Sequence, residues 1–453
     1  MMKKATPSAG SATVRPQRGP LHVCAFGMGG SVGETLGCLV EPLRALNAGT
    51  RLTLIDMQPF HLRNPGRMTP PPGVDIERLT PSQVGYRTVL RSMSLNMLLS
   101  GGPLAYRRMV DVLTRRLESL APDVVLCCHD RFYIETACLK AARNLDIPSV
   151  LLQEGPFCVV GHGAALHTKL RVKYGLAPLV TRSGLLPAMP DYGTAGHDQI
   201  LAASEAYREA WVRHGVPRER IRITGIPRYD ILASARHSRA ASHTASGAPA
   251  ATVPPEVMVL LQPFGAHGKV DPAAAESAEA RLAESINAVG RERPITLRVR
   301  QHPRAAPDAA RSFANRLNVR HSIEGAEQPF SQRAQSLDLV LGFYSSALLE
   351  AVAIGVPTAC FSLPRESFAE AGEADKQDRM LELGVQVVTD PMAMTQTITE
   401  LLQSSELMPD PDSAYPEIGP VDGGAAGRVA RALADVSAVT PDASGVARGS
   451  VQR

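Results

Sequence analysis

Aromatic side chains are scarce in this sequence. Phe, Trp and Tyr make up 4% of the 453 residues, with a single Trp. A platform that stacks successive bases needs more, so a single-stranded nucleic acid partner is not expected. Charge of one sign is also lacking: 48 basic against 44 acidic residues leave a net +4. That excess is too small to mark a polyanion binder, although it suits an anionic small substrate or a basic contact with a membrane surface. No stretch approaches the ~18 consecutive apolar residues of a membrane span. Met1 to Pro20 is basic and rich in Ser, Pro and Ala but has no apolar core of a secretory signal, so residues 1–20 are expected to form a disordered tail. Cysteines number seven, and no two form a C-x-x-C pair. They are expected to be small buried apolar residues of a reducing compartment, not a zinc site.

What is present is alternation. Short apolar runs of β character, His22–Phe26, Arg51–Asp56, Asp123–Cys128, Ser149–Gln153, Gln199–Ala203 and Ile221–Thr224, are separated by helical patterns such as Glu34–Leu46, Tyr106–Leu120, Ile134–Leu145 and Ser204–His214. A second series begins near residue 255. Its strands are expected at Val257–Gln262, Ile295–Gln301, Leu337–Leu341, Thr358–Phe361 and Val385–Val388. Its helices are expected at Ala273–Val289, Ser346–Ile354, Lys376–Leu383 and Ala393–Leu402. Strands alternating with helices predict parallel sheets. The expected architecture is therefore α/β, with two doubly wound Rossmann-like domains and a cleft between them at the carboxyl ends of the strands. The expected domains are 21–232 and 255–420. The aperiodic stretch 233–254 serves as linker, 421–436 as a C-terminal helix, and 437–453 as a second disordered tail.

Four motifs fall at strand ends. Gly27, Gly29, Gly30 and Ser31 follow the first strand and open a helix. The pattern suits a tight turn and phosphate binding equally. A short-chain dehydrogenase reading would need Tyr-x-x-x-Lys, which none of the nine tyrosines provides. Gln153-Glu154-Gly155 ends the fourth strand, where Glu154 could act as general base or serve as a cap or ion-pair partner. His129-Asp130, ending the third strand, makes Asp130 the rival base, and His162 lies in a glycine loop beyond. Gln301-His302-Pro303 ends a strand of the second domain, with Arg304 beside it as an added positive charge. Last, Leu337 to Gly342 is a buried strand followed by Phe343-Tyr344-Ser345-Ser346 and a helix that stops at Gly355 before Pro357. Ser345 or Ser346 caps that helix, and the same free N–H groups can cradle a diphosphate. Glu350, one turn in, is placed to accept from ribose hydroxyls.

Gln301-His302-Pro303 followed by Ser345-Ser346-x-x-x-Glu350-Ala351-x-x-x-Gly355-x-Pro357 resembles the HP and S/T motifs of bacterial GT-B glycosyltransferases. The nearest groups are capsular polysaccharide enzymes: Kdo transferases, sialyl- and polysialyltransferases, and CDP-glycerol glycerophosphotransferases. The segments Arg222 to Asp230 and Asp422 to Val429 resemble the same proteins, so the likeness spans about residues 120–435. It implies a nucleotide-activated donor, either a nucleotide-sugar or CDP-glycerol, held by the C-terminal domain, with His302, Ser345 and Ser346 on its phosphates. It implies Glu154 as base, although Gln153 stands where the family's acidic pair has its first acid. It further implies a glycan or lipid-linked acceptor, a reaction without metal or cofactor, and no nucleic acid. Asp410-Pro411-Asp412 matches the letters of a metal-binding D-x-D but lies in a Pro-rich stretch. Non-hydrolysing UDP-N-acetylglucosamine 2-epimerases share the expected fold, but their early G-x-R-P-E pattern is not matched. An inactive binding or scaffold protein on the same fold is the non-enzymatic alternative. Residence in the cytoplasm is expected, with two readings of one basic stretch: peripheral attachment to the inner membrane, or an ordinary helix pair with a solvated basic face. The motive is the stretch Tyr86 to Arg116, which interleaves Arg87, Arg91, Arg107, Arg108, Arg115 and Arg116 with Leu and Met.

Overall fold

The computed structural model describes residues 19–61, 68–90, 92–158, 160, 182–187, 189–245, 253–302, 305–306, 308–325, 328–404 and 409–438. Seven strands form the first sheet: β1 (His22–Gly27), β2 (Arg51–Asp56), β3 (Asp75–Arg78), β4 (Val124–Cys127), β5 (Ser149–Leu152), β6 (Gln199–Ala202) and β7 (Ile221–Ile223). All pair in parallel in the order β3-β2-β1-β4-β5-β6-β7. Ala25 of β1 sits opposite Leu54 of β2 on one side and Leu126 of β4 on the other. The central strands are apolar and wholly buried because helices cover both faces. These include α1 (Gly30–Leu46), α2 (Met93–Leu99), α3 (Pro103–Leu120), α4 (Tyr133–Asn144) and α5 (Glu205–Arg213).

The second sheet repeats the winding with β8 (Glu256–Leu260), β9 (Thr296–Arg300), β10 (His321–Glu324), β11 (Leu339–Gly342), β12 (Thr358–Phe361) and β13 (Gln386–Val388). Their order is β10-β9-β8-β11-β12-β13. Its principal helices are α7 (Pro272–Glu292), α8 (Ser346–Ile354), α9 (Ala371–Asp378) and α10 (Pro391–Gln403); α6 is Asp230–Ala245. In both sheets the strand order reverses beside the first strand, between β1 and β4 and between β8 and β11. Chain leaving those ends diverges to opposite faces and opens a crevice there.

The structure revises one expectation and adds two edge strands. Residues 233–254 were expected to be an aperiodic linker, yet most of that stretch belongs to α6. Its Ala-rich composition favours helix without showing an amphipathic period. Arg239, nine-tenths buried, nails α6 to the second domain by donating to the carbonyls of Gly355 at 3.0 Å and Leu337 at 2.6 Å. The edge strands β3 and β10 were not foreseen, because each carries charge along a half-exposed surface. The last helix, expected at Ala425–Ala434 within the segment 421–436, runs from Ala425 to Ala438 as α11. It packs on the first domain: Val429, Ala430 and Leu433 share one buried cluster with Val23, Leu36 and Leu126. Both carboxylate oxygens of Asp230 accept from its first backbone N–H groups, Ala425 and Ala426, at 2.8 Å each. An acid at a helix N-terminus is stabilising, and this one joins the interdomain helix α6 to α11.

Candidate active site

A cavity of about 1310 Å³ lies between the domains. The carboxyl ends of β1, β5, β8, β9 and β11 deliver its walls, as two facing switch points require.

The first-domain wall starts from the turn after β1. A β-carbon at Gly27 would stand 2.3 Å from Val32 Cγ1, and Gly29 has φ 121°, so glycine is required at both positions to fold the chain tightly into α1. Gly29 occupies the cap position of α1 without a side-chain cap, and Gly30 begins the helix. Ser31 lines the cavity, and its hydroxyl donates to Oε1 of Glu154 at 3.1 Å. Glu154 follows β5. Its Oε2 is buried and has no hydrogen-bond partner. Burial raises its pKa, against the opposing pull of Ser31, Arg228 and His129. The next residues, Gly155, Pro156 and Phe157, form the wall itself.

Asp130 does not share this placement. It is 1% exposed, and both oxygens accept from the backbone N–H of Gly193 at 3.0 Å. Oδ2 also accepts from Ala195 N–H at 3.3 Å and lies 3.5 Å from His197 Nε2. A carboxylate so occupied holds a loop, whereas Oε2 of Glu154 has no partner; the sequence could not show this because the partners of Asp130 lie over 60 residues away. Its neighbour His129 is bound to Glu135 at 2.8 Å. Burial alone would lower the His129 pKa, but the Glu135 carboxylate outweighs it and the pKa rises.

The second-domain wall is built across its switch point. Gln262, after β8, donates to Ser345 Oγ at 3.0 Å, and that hydroxyl in turn caps α8 by accepting from Ala347 N–H at 3.2 Å. Ser346 opens the helix and, like Ser345 and Glu350, lines the cavity. Desolvation lifts the Glu350 carboxyl to about 6, with Arg228 and Arg300 pulling it down and Glu34 pushing it up. His302 lines the same cavity, its ring 6.1 Å from that of His267 in an edge-on arrangement. Thus the structure brings His302, Ser345, Ser346, Glu350 and Ser31 to one cavity, with Glu154 directly behind Ser31. Arg304 and His162 lie outside the described residues.

Several lining residues escaped the sequence reading. Arg228, in the turn after β7, donates through Nε to the Glu154 carbonyl at 3.0 Å and through Nη2 to Tyr229 Oη at 2.8 Å. Tyr229 and Ser346 both line the cavity, so Arg228 and Tyr229 stand between the loop bearing Glu154 and the start of α8. Lys269 and Lys376 converge on Glu373, at 3.0 and 2.7 Å. Tyr344 also donates to that carboxylate, and its ring stacks on Phe264 with centroids 4.8 Å apart. Burial would raise Glu373, but Lys376, Tyr344 and Lys269 hold it at about 2. Arg228, Arg300, Lys269 and Lys376 make this a cation-bearing cavity. The only advance signal was the run Ile226-Pro227-Arg228-Tyr229-Asp230. The D-x-D letters have local roles: Asp410 accepts from Asp412 N–H at 3.0 Å, and Asp412 pairs with Arg236 at 2.9 Å.

No family model matches the chain, and no curated protein matches its sequence. Solved structures do match. UDP-GlcNAc 2-epimerase of Methanocaldococcus jannaschii superposes with a TM-score of 0.54 at 14% identity, over 92% of this chain and 99% of the other. UDP-GlcNAc 2-epimerase of Neisseria meningitidis, bound to UDP-GlcNAc, gives 0.51 at 14%, over 92% and 100%. MurG of Acinetobacter baumannii gives 0.50 at 14%, also over 92% and 100%. At such identities the likeness is one of fold, and the fold is GT-B: two Rossmann-like domains around a cleft.

Proposed function

We propose that this protein is a GT-B transferase that moves a glycosyl or glycerophosphoryl group from a nucleotide-activated donor to an acceptor hydroxyl in surface polysaccharide synthesis, without a metal or cofactor. One observation carries the reading. A single interdomain cavity has a buried carboxyl with an unpartnered oxygen behind one wall, and a serine-capped helix start with a histidine on the other. The N-terminal N–H groups of α8, Ser346 and His302 would hold the donor's phosphates, and they favour the negative charge that grows as the nucleotide leaves. Lys269 and Lys376 would add to that field. Glu154 would accept the acceptor's proton through Oε2. A carboxyl whose pKa is lifted by burial is a better base near neutrality than an exposed one. Arg228, bonded to the Glu154 carbonyl and to Tyr229, stands in the cavity between that loop and Ser346, where closure of the domains would bring acceptor and donor sites together.

The fold equally suits epimerisation of a nucleotide-sugar, which two of the structural neighbours carry in their names. A panel of nucleoside-diphosphate sugars and CDP-glycerol, incubated with and without glycan acceptors, separates the readings. Nucleotide release that depends on acceptor, with a matching mass increase, is the expected result. Donor interconversion without acceptor would replace transfer by epimerisation. No turnover of any donor, with nucleotide still bound, would leave a binding protein.

A further inference from the structure

Residues 79–110 contain Arg87, Arg91, Arg107 and Arg108 and no Asp or Glu, and residues 182–190 contain Arg182 and no acid. The structure places apolar side chains among these charges. Leu95, Leu98 and Leu99 lie at i, i+3 and i+4 spacing on α2, 49, 39 and 49% exposed, while Asn96 and Met97 between them are buried. Val89 and Leu90 precede the helix and are exposed. Leu104, at the start of α3, is 67% exposed, though the other face of α3 buries Ala105, Met109 and Leu113. Leu185 joins them: its carbonyl oxygen stands 2.7 Å from where a Gly102 β-carbon would be, at the turn between α2 and α3. Seven of the sixteen large exposed apolar residues among the described ones fall here. Scattered exposure needs no explanation, but a cluster does.

The cluster is held in place from beneath. Asn96 Oδ1 accepts from the N–H groups of Val89 at 3.2 Å and Leu90 at 2.9 Å, and its Nδ2 donates to the Leu90 carbonyl at 2.7 Å. Arg87 N–H donates to Ser100 Oγ at 2.8 Å. Tyr133, at the start of α4, donates to Ser94 Oγ at 3.4 Å, which sets α2 at the carboxyl end of β4. That is the end of the first sheet from which the Glu154 loop also emerges. No helix among the described residues is long and apolar enough to cross a membrane.

We propose that this surface docks the protein onto a lipid bilayer bearing anionic headgroups. Leu95, Leu98, Leu99 and Leu104 would enter the boundary between headgroups and acyl chains, while Arg87 and Arg107 engage lipid phosphates. Charge selects the bilayer over a second copy of the chain. In a two-fold contact this face would meet itself, setting Arg87, Arg107 and Arg108 against their copies with Asp111, one turn along α3, as the one acid beside them. The proposal stands apart from the transferase reading, because its readout is binding alone.

The test uses the full chain, floated with vesicles of phosphatidylcholine alone or mixed with phosphatidylglycerol, at low and high salt. Association with the phosphatidylglycerol vesicles, weakened by salt, is expected. The triple variant Leu95→Ser, Leu98→Ser, Leu99→Ser and the double variant Arg87→Glu, Arg107→Glu should each bind at least about tenfold less. All five side chains are exposed, so both variants should keep the wild-type melting temperature, and each checks the other if one does not. No flotation at either salt would overturn the proposal. So would two folded variants that bind vesicles like wild type, or a wild-type dimer that the triple variant splits without any vesicle binding.

Discussion

Phe157 donates its backbone N–H to Oε2 of Glu417 at 2.7 Å, across 260 residues of sequence. The same oxygen accepts from Tyr207 Oη at 2.5 Å, and Arg379 lies 2.5 Å from Oε1. Phe157 has φ 56°, a left-handed conformation that a bulky residue holds only when its surroundings impose it. Glu417 is that imposition: a buried carboxylate from the segment returning to the first domain fixes the loop that starts with Glu154.

Glu417→Gln should therefore weaken two distant properties together. Stability should fall by about 1–3 kcal/mol, because Phe157 N–H and Tyr207 lose a buried charged acceptor and the exposed Arg379 loses its ion pair. Turnover should fall more than donor affinity, because the loop carries the proposed base. Chemical denaturation beside steady-state kinetics checks both. A variant as stable as wild type would show that Arg379 and Tyr207 find other partners.

Glu154→Gln should lower kcat by about 10²–10⁴-fold while donor binding stays within a few-fold. Wild-type kcat/KM should fall as pH drops through the raised pKa of Glu154, since only the carboxylate can take a proton. In the variant that acid limb should vanish. Asp130→Asn should instead act on stability, through the Gly193 loop. If Asp130→Asn loses the acid limb and Glu154→Gln keeps it, the base is misassigned.

Glu350 gives a prediction about stability against pH. Its carboxyl is near 6 in the fold, against an ordinary 4.5. The folded state thus holds the proton more tightly than the unfolded chain does. Its contribution favours folding at low pH and is lost as pH rises between those values, by about 2 kcal/mol. Glu350→Gln should remove that slope, so the variant gains on wild type from pH 4.5 to pH 6.5 in paired denaturation curves. Parallel curves would mean that Arg228 and Arg300 already neutralise the site.

His302→Ala should leave the melting temperature unchanged, lower kcat at least about tenfold and weaken nucleotide binding, since the ring lies on the cavity wall rather than in the core. Calorimetry with a nucleoside diphosphate beside turnover decides it. Unaltered affinity and turnover in the folded variant would remove His302 from the phosphate site.

Much of the frame was legible because the buried strands are apolar and bounded. Arg51–Asp56, Thr358–Phe361 and Ser346–Ile354 were read to the residue. The strands Asp75–Arg78 and His321–Glu324 escaped because an edge exposes its side chains and carries charge. The helix Asp230–Ala245 escaped because alanine fits either environment and leaves no period to read. Ser345 and His302 were visible as strand-end punctuation. Arg228 was not, since its partners, the Glu154 carbonyl and Tyr229, lie partly 74 residues away. Nor was the Lys269–Glu373 pair, which folding assembles over 104 residues.

The position of α11 sets an order of events. The first domain's sheet is complete at Ile223, yet the apolar face over Val23, Leu36 and Leu126 is covered by residues made some 200 positions later. During synthesis the second domain can bury its own core as soon as β13 and α10 emerge, while the first must wait with that face open. The domain made first is then the one finished last. Its exposed apolar surface during that interval is a natural point of engagement for chaperones, and loss of residues 425–438 would expose the same surface permanently.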